Sequence, residues 1–117
     1  MNSSERKELL RDLREIIEEM NRDLDAVIVE GKHDREALRK LGFEKEILKA
    51  SRLSSSDVLD KEVSILTDFD KEGNKLRRKI LERVSSKASV KKRFRRKLGK
   101  ELGLYGRRDV ESINNLL

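Results

Sequence analysis

Apolar residues along this chain follow two different periods, one typical of helices and one typical of strands. Over residues 3–22 they recur at spacings of three and four, which predicts an amphipathic helix with one apolar stripe. The stripe consists of Leu9, Leu13, Ile16, Ile17 and Met20.

Two short runs rich in β-branched residues predict strands instead. They cover residues 25–30 and 62–67, and the second is almost continuously apolar, as expected for a strand that is covered on both faces. A weaker run over residues 46–50 predicts a third short strand.

The segments between and after these strands have helical spacing. Residues 33–41, followed by Gly42, and residues 72–85 predict helices that follow the first and last strands. Val90, Phe94, Leu98 and Leu102 recur every four residues, which predicts a helix over residues 90–102, capped by Ser89 and ended by Gly103. A short apolar piece near residues 109–116 completes the series.

The alternation of strands and helices predicts the fold class. We expect an α/β three-layer sandwich in which a small, mostly parallel sheet of about four strands lies between helices. The 117 residues fit one domain. Its expected parts are an N-terminal amphipathic helix (1–24), a core (25–85) and a basic C-terminal helical segment (86–117).

Charge is abundant and unevenly distributed. Charged residues make up 44% of the chain, against about 25% in an average domain. Residues 1–70 carry 13 basic and 18 acidic side chains, whereas residues 71–117 carry 16 basic and 5 acidic ones. The basic half therefore predicts a surface that binds a polyanion such as RNA or DNA, although solvated basic helix faces are the simpler alternative.

Several kinds of site are excluded by composition. The chain has no cysteine, so it has no disulfide and no thiolate metal site, which is typical of a reducing, cytoplasmic setting. His33 is the only histidine, which excludes a histidine cluster within one chain. No apolar run approaches the roughly 20 residues of a membrane span, so we expect no membrane partner.

Carboxylates follow both predicted strands and supply the candidate chemistry. Glu30 follows the first strand, and Asp68 and Asp70 follow the second. Because the carboxyl ends of parallel strands lie along one edge of a sheet, these three side chains are expected to meet and to bind Mg²⁺, or Mn²⁺. Glu30, Asp68 and Asp70 are therefore the candidate catalytic residues. The simpler alternatives are a helix-capping aspartate and a solvated glutamate at a strand end.

Other candidates surround these carboxylates. Gly31 and Gly73 are expected to allow turns or a close backbone approach. Basic residues that follow the strands or lie in the basic half are the candidates for binding nucleic acid: Lys32, Lys71, Lys75, Arg78, Lys91, Lys92, Arg95 and Arg96.

Two motifs in this order resemble the Toprim domain of topoisomerases, primases and certain nucleases. They are Val29-Glu30-Gly31-Lys32-His33-Asp34 and Asp68-Phe69-Asp70. Asp70-Lys71-Glu72-Gly73 is also similar to the Asp-Arg-Glu-Gly of topoisomerases, with Lys71 in place of arginine. The Glu-Gly-Lys-x-Asp form is more similar to small stand-alone Toprim proteins and to the Toprim nuclease that matures 5S ribosomal RNA.

The resemblance covers about residues 25–85 and implies both a fold and site roles. It implies a compact, four-stranded parallel sheet, with Glu30 as general acid or base. Asp68 and Asp70 would hold Mg²⁺, and Glu72 would assist. The tyrosine-bearing domains of topoisomerases and the zinc and polymerase regions of primases have no counterpart here, so strand passage and primer synthesis are not expected.

Three functions fit these observations. The first is Mg²⁺-dependent cleavage of phosphodiester bonds, or phosphoryl transfer, on RNA or DNA. The second is a non-catalytic nucleic-acid-binding module that recruits processing factors. The third is a phosphatase in which Asp68 is the covalent nucleophile.

Overall fold

Four parallel strands form the central sheet of the protein, in a computed structural model that describes residues 1–117. Their order across the sheet is β2-β1-β3-β4. The strands are β1 (Ala26–Val29), β2 (Glu46–Lys49), β3 (Glu62–Ile65) and β4 (Ser89–Val90). The first strand in the sequence, β1, therefore lies inside the sheet, paired with both β2 and β3.

Helices connect and cover these strands. The α-helices are α1 (Ser3–Asp23), α2 (Lys32–Lys40), α3 (Lys71–Val84) and α4 (Arg93–Gly103). Short 3-10 helices occupy Ala50–Arg52, Ser55–Val58 and Glu111–Leu116. No helix is both long enough and apolar enough to cross a membrane.

The two faces of the sheet carry separate apolar cores, as the two-residue period of a strand requires. Val27 and Val29 point into the larger core, which is built from α1, α2, α4 and the C-terminal 3-10 helix. Ile28 and Ile65 point into the smaller core, where α3 contributes Ile80. The fold is thus a three-layer α/β sandwich with a four-stranded sheet, and the predicted fold class is confirmed.

The start of α4 differs from the prediction. Ser89 does not cap a helix over residues 90–102, because Ser89 and Val90 form β4 and the helix begins at Arg93. Backbone pairing decides this, since the Ser89 and Lys91 N–H groups donate to carbonyls of the β3 segment, Lys61 and Val63. Val90 packs against the smaller core, whereas the helical stripe that begins at Phe94 packs into the larger one. Val90 and Phe94 are four residues apart but belong to different elements, so their spacing does not indicate one continuous helix.

Candidate functional site

The carboxylates that follow β1 and β3 meet at one edge of the sheet. One oxygen of the Glu30 side chain, Oε2, accepts a hydrogen bond of 2.6 Å from the backbone N–H of Asp68. These residues are 38 positions apart in sequence, and the parallel pairing of β1 with β3 brings them together. Glu30 therefore lies against the loop that carries Asp68 and Asp70.

That loop, residues 66–70, is closed by bonds to the first turn of α3. The Thr67 hydroxyl donates to the carbonyl of Gly73 at 2.8 Å, and Oδ1 of Asp70 accepts the N–H of Gly73 at 2.7 Å. Asp70 is thus the N-cap of α3, as in the simpler alternative for an aspartate after a strand. Its second carboxylate oxygen makes no hydrogen bond within the chain and stays available to a ligand.

Gly73 is required by a close backbone approach. A Cβ atom at this position would lie 2.0 Å from the carbonyl oxygen of Asp68, a distance that no side chain can occupy. Gly31 is different, because it is extended (φ −154°) and nothing lies within 4 Å of a Cβ built on it. Of these two glycines, only Gly73 therefore has a steric reason to be glycine.

Asp68 carries the most perturbed carboxyl group of the site. Burial, followed by the negative charges of Glu30, Asp34, Asp109 and Asp70 in that order, raises the pKa of Asp68 to about 7. Its carboxylate accepts no hydrogen bond from the chain that would offset these effects. A cation beside Asp68 would relieve the repulsion, so this edge of the sheet is suited to bind one.

Two of these acidic neighbours are not among the predicted site residues. Asp34 is only 4% exposed and accepts a hydrogen bond of 3.0 Å from the N–H of Gly31; burial raises its pKa. Asp109 accepts the N–H of Ser112 at 2.8 Å. The Glu-Gly-Lys-x-Asp motif contains Asp34 and gave a signal for it. Asp109 has no such signal, because only the folding of the C-terminal segment brings it near Asp68.

Arg95 of α4 donates hydrogen bonds to the backbone of residues 66–70, which we call the carboxylate loop. Its Nε donates to the Thr67 carbonyl at 3.2 Å, and its Nη2 donates to the Asp68 carbonyl at 2.5 Å and to the Asn74 side chain at 2.9 Å. The guanidinium also lies 5.1 Å from the centre of the Phe69 ring. The structure thus gives Arg95, a predicted nucleic-acid contact, a role within the fold, because it bonds to the loop backbone.

The carboxylates do not form a complete metal cage. No group of three or more His, Cys, Asp or Glu side chains is arranged to hold a metal ion. Mg²⁺ often binds one or two protein carboxylates and keeps several waters or substrate oxygens, so the donor chemistry of Glu30, Asp68 and Asp70 suits it. Glu72 is exposed in the first turn of α3 and makes no contact with the other three.

Two clefts adjoin this site. The first, which we call the basic cleft, has a volume of about 300 Å³ and is lined by Ile65, Arg77, Val90, Lys91, Lys92, Arg95 and Arg96. The second has a volume of about 360 Å³ and is lined by Glu30, Ala50, Ser51, Leu76, Lys79, Ile80 and Arg83. Of the other predicted basic residues, Lys32, Lys71, Lys75 and Arg78 are exposed and line neither cleft.

Comparisons with known proteins identify relatives over most of the chain. No family model matches. The UPF0292 protein of Pyrococcus furiosus is 39% identical over 106 residues, which cover 86% of this chain and 78% of that protein. The UPF0292 protein of Methanocaldococcus jannaschii is 33% identical over 120 residues, covering 92% of this chain and 91% of that one. The chain belongs to the UPF0292 family.

A solved structure supports the same fold for this UPF0292 chain. A protein from Aquifex aeolicus aligns with a TM-score of 0.63 and 27% identity, covering 96% of this chain and 98% of that one. The names of these relatives state no activity.

Proposed function

We propose that this chain is a Mg²⁺-dependent protein that acts on phosphodiester bonds in RNA or DNA, either by cleaving them or by transferring a phosphoryl group. The observation that carries the proposal is the hydrogen bond from the Asp68 N–H to the Glu30 carboxylate, which ties the residues that follow two neighbouring strands together at one edge of the sheet. The resemblance of the same two motifs to the Toprim domain supports it. The adjoining basic cleft supports a polyanionic substrate.

Each residue has a distinct role in this proposal. Asp68 and the free oxygen of Asp70 would hold Mg²⁺, which when bound neutralises charge that develops on the phosphoryl oxygens. Glu30 has one oxygen bonded to the Asp68 N–H and one free oxygen, so it can pass a proton to or from the reacting group while its position stays fixed. Arg95 holds the carbonyl of Asp68 and thereby the direction of the loop.

The experiment that tests this function measures cleavage by the full chain. End-labelled structured RNA, nicked DNA and single-stranded DNA are incubated with Mg²⁺, Mn²⁺ or a chelator. We expect cleavage of at least one substrate with metal only, and a loss of about 10²–10⁴-fold in rate in Glu30→Gln and in Asp68→Asn.

Glu44→Gln is the matched control, because Glu44 is exposed and remote from the carboxylate loop. Its rate should equal that of the wild type. Intact substrates under every metal condition, or full activity in Glu30→Gln, would contradict the proposal.

A second function is favoured by one observation. Since no three carboxylates are already arranged around a metal position, the chain also fits a non-catalytic module that binds nucleic acid and recruits processing factors. Binding would then be independent of Mg²⁺ and unchanged in Glu30→Gln, with no cleavage by any preparation.

A further inference from the structure

The basic cleft is a concave surface lined by cations and by no acid. Five of its seven lining residues are Lys or Arg, and the other two, Ile65 and Val90, are apolar. The lining comes from the end of β3, from α3, and from the segment that joins β4 to the first turn of α4. The fold therefore gathers like charges into one cavity, where they repel each other unless an anion is bound.

Most of these cations have no carboxylate partner, in contrast to their neighbours on α4. Arg93 and Lys97, on the side of α4 that faces α1, form ion pairs with Glu19 at 3.5 Å and 2.8 Å. Arg77, Lys92 and Arg96 form no ion pair, and Lys91 alone of the cleft cations pairs with an acid, Glu62, at 3.2 Å. Neighbouring acids therefore do not neutralise the positive charges on the cleft side of α4.

Arg95 has hydrogen-bond donors left for a ligand. A guanidinium has five N–H donors, and Arg95 uses its Nε and Nη2 on Thr67, Asp68 and Asn74, so the Nη1 donors have no partner within the chain. Burial and the nearby charge of Arg77 lower the pKa of Arg95. A bound anion would stabilise both charges and take up the free donors.

The N-terminus of α4 adds to the positive potential of the cleft. Its N-cap, Lys92, provides no side-chain hydrogen bond to the first turn, and that turn contains no acid. Helix N-termini favour negative charge, so lysine and arginine here are unfavourable in the free protein and favourable once an anion is bound.

We propose that the basic cleft binds a phosphate group of a nucleic-acid strand, adjacent to the phosphate that is positioned at the carboxylates. This inference rests on the proposed function and deepens it by assigning a second substrate contact. Arg95 belongs to both sites, since it lines the cleft and holds the Asp68 carbonyl. The phosphate is either an internal phosphodiester or a terminal monophosphate, which share the same chemistry.

Two arginines on different helices provide a matched test. Arg77 lines the cleft, whereas Arg14 of α1 is exposed and lies outside it, so Arg77→Ala and Arg14→Ala remove the same charge. Binding of a short, 3′-labelled single strand is measured by fluorescence anisotropy in chelator at about 50–200 mM salt. We expect Arg77→Ala to weaken binding about fivefold or more and to lower the salt slope by about one, with less than about a twofold change in Arg14→Ala.

A second pair of variants tests the cleft independently of any effect that Arg77→Ala has on folding. Lys92 is exposed at the cleft, and Lys87 is exposed away from it, so neither replacement by alanine should disturb the core. We expect Lys92→Ala to weaken binding and Lys87→Ala not to. Equal losses in the members of both pairs, or no loss in any variant, would overturn the cleft as a phosphate site.

The two phosphate sources are separated by comparing strands with a 5′-phosphate and a 5′-hydroxyl. Tighter binding of the phosphorylated strand, abolished in Arg77→Ala, would assign a terminal monophosphate; equal binding, reduced in Arg77→Ala for both strands, would assign an internal one. Because the chelator removes the metal, this pattern is measurable even if the protein cleaves nothing. Conversely, cleavage with equal losses in each pair would refute the cleft and not the proposed function.

Discussion

The carboxylate of Asp68, a proposed metal ligand, lowers the stability of the folded protein when it is ionised. Its carboxylate is half-buried, lies among four other acids and accepts no hydrogen bond from the chain, and its pKa is raised to about 7. Ionised at neutral pH, it therefore destabilises the folded protein. Residues kept for function often have this cost.

We expect Asp68→Asn to stabilise the protein at about pH 8. The substitution removes the charge without changing the shape of the side chain, and the gain should be about 1 kcal/mol, since solvent partly screens this half-buried carboxyl. Urea unfolding of the wild type and the variant measures the gain. A variant less stable than the wild type at this pH would show that the carboxylate is not a source of repulsion.

The same shift predicts how stability depends on pH. The folded protein holds the proton of Asp68 more tightly than the unfolded chain does, because the ordinary pKa of this carboxyl group is 3.8. The stability that the protonated group provides is therefore present below about pH 4 and is lost as the pH rises to about 7. The difference between Asp68→Asn and the wild type should grow over that interval and stay constant above it.

Gly73 fixes the distance between the carboxylate loop and α3. We expect Gly73→Ala to destabilise the protein by about 2–4 kcal/mol, because the new methyl group would overlap the Asp68 carbonyl and force the loop outward. Thermal unfolding measures this loss. Gly31→Ala is the control and should cost less than about 1 kcal/mol, since its Cβ meets open space; equal losses in both variants would contradict the steric argument.

Residue-scale features were predictable where the backbone alone determines them. The positions of Glu30 and Asp68 followed from two apolar strands and the rule that parallel strands share one edge. Asp109 and the bonds of Arg95 to the loop carbonyls did not, because they depend on how distant segments pack. Sequence spacing contains no information about such side-chain to backbone contacts.

At the scale of elements, α4 and the carboxylate loop form one unit. Arg95 bonds to two loop carbonyls and to Asn74, and the Phe69 ring packs so closely on α4 that a Cβ on Gly99 would lie 2.9 Å from it. The basic helix therefore supports the acidic site mechanically as well as electrostatically.

We expect Arg95→Lys to destabilise the protein by about 1–2 kcal/mol although the charge is kept. A single ammonium cannot reproduce the fork of donors that reaches Thr67, Asp68 and Asn74 together. Urea unfolding measures the loss, and Arg96→Lys serves as the control because the side chain of Arg96 is exposed and makes no hydrogen bond within the chain. Equal stabilities of both variants would mean that the fork contributes nothing.

Long periodic elements were predictable, and the shortest one was not. The predicted helices over residues 3–22, 33–41 and 72–85 agree with α1, α2 and α3 within one residue at each end, because their buried stripes span several turns. The strand β4 has only two residues, too few to show a period. Its existence depends on pairing with β3, so Val90 was wrongly assigned to the helix that follows.

At the scale of the whole molecule, the carboxylates and the basic cleft are adjacent on the surface. The carboxylates lie at the ends of β1 and β3, and the basic cleft lies beside them at β4 and α4, with Arg95 between the two. A polyanion in the cleft and a cation at the carboxylates would each neutralise part of this surface. Binding of either should therefore favour binding of the other.

Mg²⁺ should stabilise the protein, and more so at higher pH. In the proposed function the ion would bind the ionised form of Asp68, which is fully populated only above its pKa of about 7. We expect about 10 mM Mg²⁺ to raise the melting temperature by a few degrees at about pH 8 and by less at about pH 5.5. Scanning calorimetry measures the shift; Asp68→Asn should show none, while an equal shift at both pH values would place the ion elsewhere.

One backbone bond of the carboxylate loop has a consequence for synthesis of the protein. The N–H of Phe69 donates to the carbonyl of Arg108 at 2.6 Å, and Val110, Ile113 and Leu116 fill the larger core. On the ribosome, where chains emerge from the N-terminus onward, the loop cannot make this bond until Arg108 has emerged. The carboxylate loop of the nascent chain therefore lacks this backbone bond until the segment that carries Arg108 has been released.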